Sequence, residues 1–126
     1  MSKILLVDDS QDLLEAMEFF LKKKGYQVKT AFTKENIINE VKEFSPDLVF
    51  LDVFMHGMDG RQLCLELRKI IETKYLYIIL FSSSPTALEN HSQYGADGSL
   101  EKPFGLNNLV EKIENVLQGS KDNVVN

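Results

Sequence analysis

The chain has 126 residues, 44% of them hydrophobic and 26% charged, with a formal net charge of −5. This size and composition are typical of one globular domain with a full hydrophobic core. Surfaces that bind nucleic acids are generally basic and membrane spans need long apolar runs, so we expect neither direct nucleic-acid binding nor membrane insertion.

Short apolar runs alternate with amphipathic helical patterns along the chain. The apolar runs predict strands that are buried on both faces, and the patterns between them predict helices. In the first half of the chain, the predicted elements are a strand at 4–7, a helix at 10–24, a strand at 26–31, a helix from 33 to the break at 45–46 and a strand at 47–53. A loop at 54–60 and a helix at 61–72 follow. The remaining predicted elements are a strand at 77–81, a short helix from 85 to about 95, a strand at 98–100 and a helix at 106–117.

This order repeats strand and helix five times. Such a repeat predicts an α/β fold in which helices cover both faces of a parallel sheet. We expect one domain over residues 1–119, followed by a polar C-terminal tail over 120–126. In sheets of this kind, binding and catalytic sites form at the carboxyl ends of the strands.

Polar side chains lie at those ends of four of the predicted strands. They are Asp8 and Asp9 after the first strand, Asp52 near the end of the third, Ser82 after the fourth and Lys102 after the fifth. Clustered carboxylates repel one another, and a hard divalent cation such as Mg²⁺ relieves that repulsion. A carboxylate can also attack phosphorus, and phosphoryl transfer depends mainly on positioning and charge neutralisation. The set therefore predicts a metal-assisted phosphoryl-transfer site.

The combination of motifs resembles the receiver domain of two-component response regulators. That family has an acid pair after strand one, an acceptor Asp after strand three, a hydroxyl residue after strand four and Lys-Pro after strand five. The resemblance extends over residues 3–117 and is carried by Asp8-Asp9, the loop at 51–60, Ser82, Gly95-Ala96-Asp97 and Lys102-Pro103-Phe104. It implies a flavodoxin-like fold with five parallel strands in the order 2-1-3-4-5.

The resemblance also assigns the metal ligands and the acceptor. Asp52 would accept a phosphoryl group from a histidine kinase or a histidine phosphotransfer protein. Mg²⁺ or Mn²⁺ would be bound by Asp9, by Asp52 and by the main-chain carbonyl of Phe54, with Asp8 assisting through water.

The same resemblance implies roles for three residues at the other strand ends. Lys102 would contact the phosphate, and the Lys102–Pro103 peptide bond would be cis. Ser82 would move towards the phosphate and reshape the surface for a downstream protein target. The chain would act as a stand-alone phosphoacceptor that catalyses only its own phosphorylation and slow dephosphorylation.

Several positions depart from the family pattern. His56 stands where proline is usual and is most simply an exposed loop histidine, although it could also act as a pH-sensitive group. Ser99 replaces the aromatic residue that swings inward in many relatives. Phe54 and Ser84 border the path of the attacking water in relatives, and we predict that the bulk of Phe54 slows loss of the phosphate.

Two sequence features indicate a cytoplasmic location. Asp8 and Asp9 follow the N-terminus too closely to leave room for the apolar region of a signal peptide. Cys64 is the single cysteine, so an internal disulfide is impossible, and its apolar helical surroundings predict a buried thiol.

Two alternatives remain open at the level of sequence. A degenerate receiver would keep the fold and signal through protein contacts alone, although the five key side chains are all present. An aspartate-nucleophile phosphatase would need a second acid close after Asp52 as general acid and base. The next two residues, Val53 and Phe54, are apolar, which disfavours that alternative.

Overall fold

The computed structural model describes residues 2–70 and 75–125. Its strands are β1 (Lys3–Val7), β2 (Gln27–Ala31), β3 (Leu48–Asp52), β4 (Phe54–Met55), β5 (Met58–Asp59), β6 (Tyr77–Ser82) and β7 (Gly98–Glu101). Five of them form one parallel sheet in the order β2-β1-β3-β6-β7, and β4 and β5 form a separate antiparallel hairpin. With only the sheet strands counted, the order is 2-1-3-4-5, so the predicted fold is confirmed.

The helices follow these strands in the chain, and four of them begin at capping side chains. They are α1 (Gln11–Lys23), α2 (Lys34–Glu43), α3 (Gly60–Arg68), α4 (Pro85–Leu88) and α5 (Leu106–Val125), with a 3-10 turn at His91–Tyr94. Ser10 and Thr33, where the sequence predicts that two of the helices begin, each accept a hydrogen bond from a main-chain N–H in the first turn that follows. None of the helices in the described ranges combines the length and the apolar character that a bilayer crossing requires.

Alternate residues of the buried strands point to opposite faces of the sheet, and each face has its own apolar core. On β3, Val49 and Leu51 pack in the core that includes Leu63 and Leu67 of α3, whereas Phe50 packs in the core that includes residues of α1 and α5. This alternation is why helices cover both faces.

Cys64 lies in the first of these cores and is buried, as the sequence predicts. Burial raises the pKa of its thiol to about 11, because the charged thiolate is poorly solvated there. A thiol that stays protonated is a structural residue rather than a nucleophile.

The structure differs from the sequence-based boundaries at several elements. The predicted helix at 61–72 ends at Arg68, because Lys69 and Ile70 donate to carbonyls three residues earlier and so close the last turn; residues 71 and 72 lie outside the described residues. The predicted loop at 54–60 contains the β4–β5 hairpin. The helix predicted from 85 to about 95 is divided into α4 and the 3-10 turn, because Asn90 between them has a φ of 58°.

The last helix continues to Val125 and so passes Gly119, after which the sequence predicts a polar tail. The domain limit at 119 therefore stays a prediction.

Gly60 provides a direct test of how α3 is joined to the end of β3. A Cβ atom at this position would lie 2.0 Å from the main-chain oxygen of Asp52. We predict that Gly60→Ala lowers the free energy of unfolding by roughly 1–3 kcal/mol, as overpacking does elsewhere. Chemical denaturation measures this value.

Gly98→Ala is the matched control. Its added Cβ would meet its nearest neighbour, a side-chain methyl of Val116, at 3.5 Å, which is an ordinary contact. A loss of stability that is equal in the two variants would contradict the proposed backbone clash.

Candidate functional site

The parallel register brings the polar strand ends to one edge of the sheet. Asp52 is the last residue of β3 and pairs with Phe81, next to Ser82 at the end of β6. Ser82 pairs in turn with Glu101, which precedes Lys102. Side chains from distant parts of the chain thus converge at the edge where such sheets form their sites.

Two carboxylates at this edge are almost fully buried. Asp8 is 1% exposed and Asp52 is 4% exposed. One carboxylate oxygen from each of Asp8, Asp9 and Asp52 lies within 4.8 Å of the other two. Buried charges are rare unless they are paired or bind metal.

The ammonium of Lys102 lies among these acids. Its Nζ atom is 2.6 Å from Oδ2 of Asp8 and 3.2 Å from Oδ1 of Asp52. It also lies 4.4 Å from the centroid of the Phe81 ring, whose face attracts a cation. The main-chain N–H of Lys102 donates to the carbonyl of Ser82, which fixes the start of the segment after β7.

The donor set fits a divalent cation. Three carboxylates and one ammonium leave a formal excess of two negative charges at the site. Carboxylate oxygens are the ligands that hard cations such as Mg²⁺ and Mn²⁺ prefer. The acids at 8, 9 and 52 would hold such an ion, and Phe54 begins β4 two residues after Asp52.

The environment of Asp52 disfavours its ionised form. Burial, followed by repulsion from Asp8, raises the pKa of Asp52 to about 6, although Lys102 acts to lower it. Keeping a buried carboxylate ionised near neutral pH lowers the stability of the folded protein. A bound cation would remove much of that cost.

Ser82 completes the edge on the β6 side. Its side chain is buried, and its Oγ accepts a hydrogen bond of 3.1 Å from the main-chain N–H of Ser84. A hydroxyl that accepts through its oxygen still has a proton to donate. Ser84 caps α4 through its own Oγ, so the hydroxyl of Ser82 is joined to the start of that helix.

The peptide bond between Lys102 and Pro103 is cis, the isomer that the family resemblance implies. The structure therefore brings Asp8, Asp9, Asp52 and Lys102 into one cluster, with Ser82 beside them through the main chain.

Two features of the site were not predicted from the sequence. His56 donates its main-chain N–H to Oδ2 of Asp9 at 3.2 Å, and its ring Nε2 lies 3.5 Å from the same oxygen. The one indication of this contact in the sequence is that position 56 is histidine and not the usual proline, which has no N–H to donate.

The second unpredicted feature is a cluster around Arg61. Its guanidinium lies 5.7 Å from the Phe54 ring centroid and 5.8 Å from that of Tyr94, and it pairs with Asp59 at 2.8 Å. Asp59 also caps α3. The contact between Arg61 and Tyr94 joins residues that are far apart in sequence, so it leaves no local pattern.

A family model and several solved structures match this chain. A family model described as the response regulator receiver domain matches residues 4–114. A protein of Chloroflexus aurantiacus assigned as a response regulator is 31% identical, with a TM-score of 0.84 over 92% of this chain and 97% of that one. The chemotaxis response regulator CheY4 of Vibrio cholerae is 28% identical, with a TM-score of 0.83 over 92% and 98%. In NtrX from Brucella abortus, 95% of this chain matches 28% of that chain, with 29% identity and a TM-score of 0.86.

Because the pKa of Asp52 is raised, replacing its carboxylate with a neutral group should increase the free energy of unfolding. The folded protein holds the Asp52 proton up to a pH of about 6, whereas the unfolded chain loses it near pH 4. The stabilisation that comes from the higher pKa of Asp52 in the folded protein is therefore fully present below pH 4, and it is lost as the pH rises to about 6. We predict that Asp52→Asn raises the free energy of unfolding of metal-free protein at pH 7.5 by on the order of 2 kcal/mol.

Urea denaturation in a chelating buffer at pH 7.5 and pH 4.5 measures this gain, which should shrink at the lower pH. Asp12→Asn is the control, because Asp12 is an exposed acid in the first turn of α1. Equal stability of Asp52→Asn and the unaltered protein at pH 7.5 would refute the expected cost of the buried charge.

Proposed function

The chain belongs to the family of response regulator receiver domains, and we propose on that basis that Asp52 accepts a phosphoryl group and that its phosphorylation switches the protein surface. The observation that carries this proposal is the convergence of three carboxylates with the Lys102 ammonium at one sheet edge. The donor would be the phosphohistidine of a histidine kinase or of a histidine phosphotransfer protein.

Asp52 would act as the nucleophile. A carboxylate oxygen attacks phosphorus, the phosphorus–nitrogen bond breaks, and the donor imidazole leaves with the bonding electrons. When bound by Asp8, Asp9, Asp52 and the main-chain carbonyl of Phe54, Mg²⁺ or Mn²⁺ supplies neutralisation of the charge that develops on the phosphoryl oxygens.

Lys102 and Ser82 would then hold the modified side chain. The Lys102 ammonium, 3.2 Å from Asp52, is placed to donate to a phosphoryl oxygen, and Ser82 has a hydroxyl proton to donate at the end of the neighbouring strand. Shifting a mostly inactive population to a mostly active one takes about 5.5 kcal/mol. Each charge-assisted hydrogen bond contributes about 1.5–3 kcal/mol, so the bonds from Lys102 and Ser82 together are of the required size.

The remaining parts of the proposal concern location and partners. We place the receiver domain at residues 1–119, with a polar tail at 120–126, in the cytoplasm. Its output is contact with a downstream protein target rather than with nucleic acid or a membrane. Because phosphoryl transfer is to the protein's own side chain, the chain is a signalling acceptor and not a turnover enzyme.

Phosphorylation of Asp52 is tested by intact mass after incubation with acetyl phosphate and Mg²⁺. We predict a gain of about 80 Da, the mass of one added phosphoryl group, which site mapping assigns to Asp52. Asp52→Asn should show no gain, because the amide is a poor nucleophile. Asp12→Asn, a surface control, should gain the same mass as the unaltered protein.

An unaltered protein that gains no mass would instead support a degenerate receiver. A mass gain that survives in Asp52→Asn would show that another residue is the acceptor. Continuous release of phosphate from a generic phosphate ester would support the phosphatase alternative.

Ser82 is tested by its effect on the response rather than on phosphorylation. We predict that Ser82→Ala still gains the phosphoryl group but loses about half or more of the structural change, because one hydrogen bond favouring the active state is missing. Hydrogen exchange of segment 82–97 before and after phosphorylation measures the change. Ser83→Ala is the control, since Ser83 is exposed, and a full response in Ser82→Ala would contradict the proposed coupling.

A further inference from the structure

An imidazole lies beside the acid cluster, on the turn between β4 and β5. Nε2 of His56 is 3.5 Å from Oδ2 of Asp9, and the main-chain N–H of His56 donates to that oxygen. Gly57 follows with a φ of 67°, which permits the tight turn that brings position 56 back towards the end of β1. The His56 side chain is 91% exposed, so an ion can reach it directly from solvent.

We propose that His56 is an additional, nitrogen ligand of the cation site and makes that site favour a transition ion such as Zn²⁺ over Mg²⁺. This inference rests on the proposed function in one respect, namely that Asp9 ligates the activating cation. It adds a residue, and a stronger preference for Zn²⁺ over Mg²⁺ than the carboxylates alone would give.

The distance between the two atoms fits a shared ion. Bond lengths of about 2.0–2.2 Å from Zn²⁺ to oxygen and nitrogen place neighbouring ligand atoms about 3.0–3.5 Å apart. The observed 3.5 Å between Nε2 of His56 and Oδ2 of Asp9 lies at the upper end of this range. A small rotation of the exposed ring is sufficient to adjust it, since the ring is not packed in the core.

The distribution of charge favours a cation on the His56 side. Asp8 and Asp52 each contact the Lys102 ammonium. Asp9 instead faces the β4–β5 turn and is still within 4.8 Å of the other two acids. An ion that relieves the excess negative charge would therefore sit close to Asp9, within reach of the imidazole.

The chemistry of the donors determines the preference. Mg²⁺ selects oxygen ligands in octahedral geometry and gains little from an imidazole nitrogen. Imidazole is a good ligand for Zn²⁺, and affinity for Zn²⁺ exceeds that for Mn²⁺ at a given set of nitrogen and oxygen ligands. Three carboxylates with one imidazole therefore discriminate more strongly between Zn²⁺ and Mg²⁺ than three carboxylates do.

The first test compares Zn²⁺ and Mg²⁺ affinities by isothermal titration calorimetry. His56→Gln keeps the main-chain N–H to Asp9 and removes the imidazole. We expect it to lower the ratio of Zn²⁺ to Mg²⁺ affinity by about tenfold, the lower end of the loss caused by removing even an outer-shell partner. His91→Gln is the matched control, because His91 is the second of the two histidines and begins the 3-10 turn; its ratio should equal that of the unaltered protein.

The second test detects nitrogen directly. Electron spin-echo envelope modulation of bound Mn²⁺ should show coupling to ¹⁴N in the unaltered protein and in His91→Gln, and should lose it in His56→Gln. An unchanged affinity ratio in His56→Gln, or no nitrogen coupling in the unaltered protein, would overturn the assignment of His56.

These outcomes are separable from the proposed function. A protein that is phosphorylated on Asp52 with Mg²⁺ but shows no nitrogen coupling rejects His56 as a ligand and keeps the phosphoacceptor. A protein with nitrogen coupling that gains no phosphoryl group supports the ligand and rejects the function.

Discussion

The site depends on the repulsion between buried Asp8 and Asp52, which the Lys102 ammonium only partly offsets. These three groups lie at or just after the ends of β1, β3 and β7. The Lys102 ammonium is within hydrogen-bonding distance of both carboxylates. Burial and the neighbouring acid raise the pKa of Asp52 to about 6, so the ionised form is held in an unfavourable environment. A site of this kind gives up stability to hold an ionised carboxylate, and it favours the binding of a cation.

The scaffold around Asp52 keeps that arrangement in place through backbone contacts. The N–H of Val53 donates to the carbonyl of Phe81, and the N–H of Gly60 donates to the carbonyl of Val53. The end of β3 is thus joined both to the neighbouring strand and to the first turn of α3. The continuous apolar strands on either side exclude water from the sheet and lower the effective dielectric near Asp52, which strengthens each electrostatic interaction there.

Most of the fold and of the site could be predicted from sequence because burial and strand ends leave local patterns. Examples are the apolar run of β3 that precedes Asp52 and the helix starts at Ser10 and Thr33. The β4–β5 hairpin was missed because two-residue strands are too short to show a period of two. The break at Asn90 depends on one left-handed residue, and the Arg61 cluster depends on tertiary contacts, so neither has a sequence period to detect.

The contacts of Arg61 connect the segment that follows Asp52 to the irregular region after α4. One guanidinium lies against Phe54 on β4 and against Tyr94 in the 3-10 turn, while Asp59 fixes its orientation. Because two rings share one cation, substitutions at positions 54 and 94 will not have additive energetic effects. Substitutions in the loop after Asp52 and in this outer turn are therefore energetically coupled through Arg61.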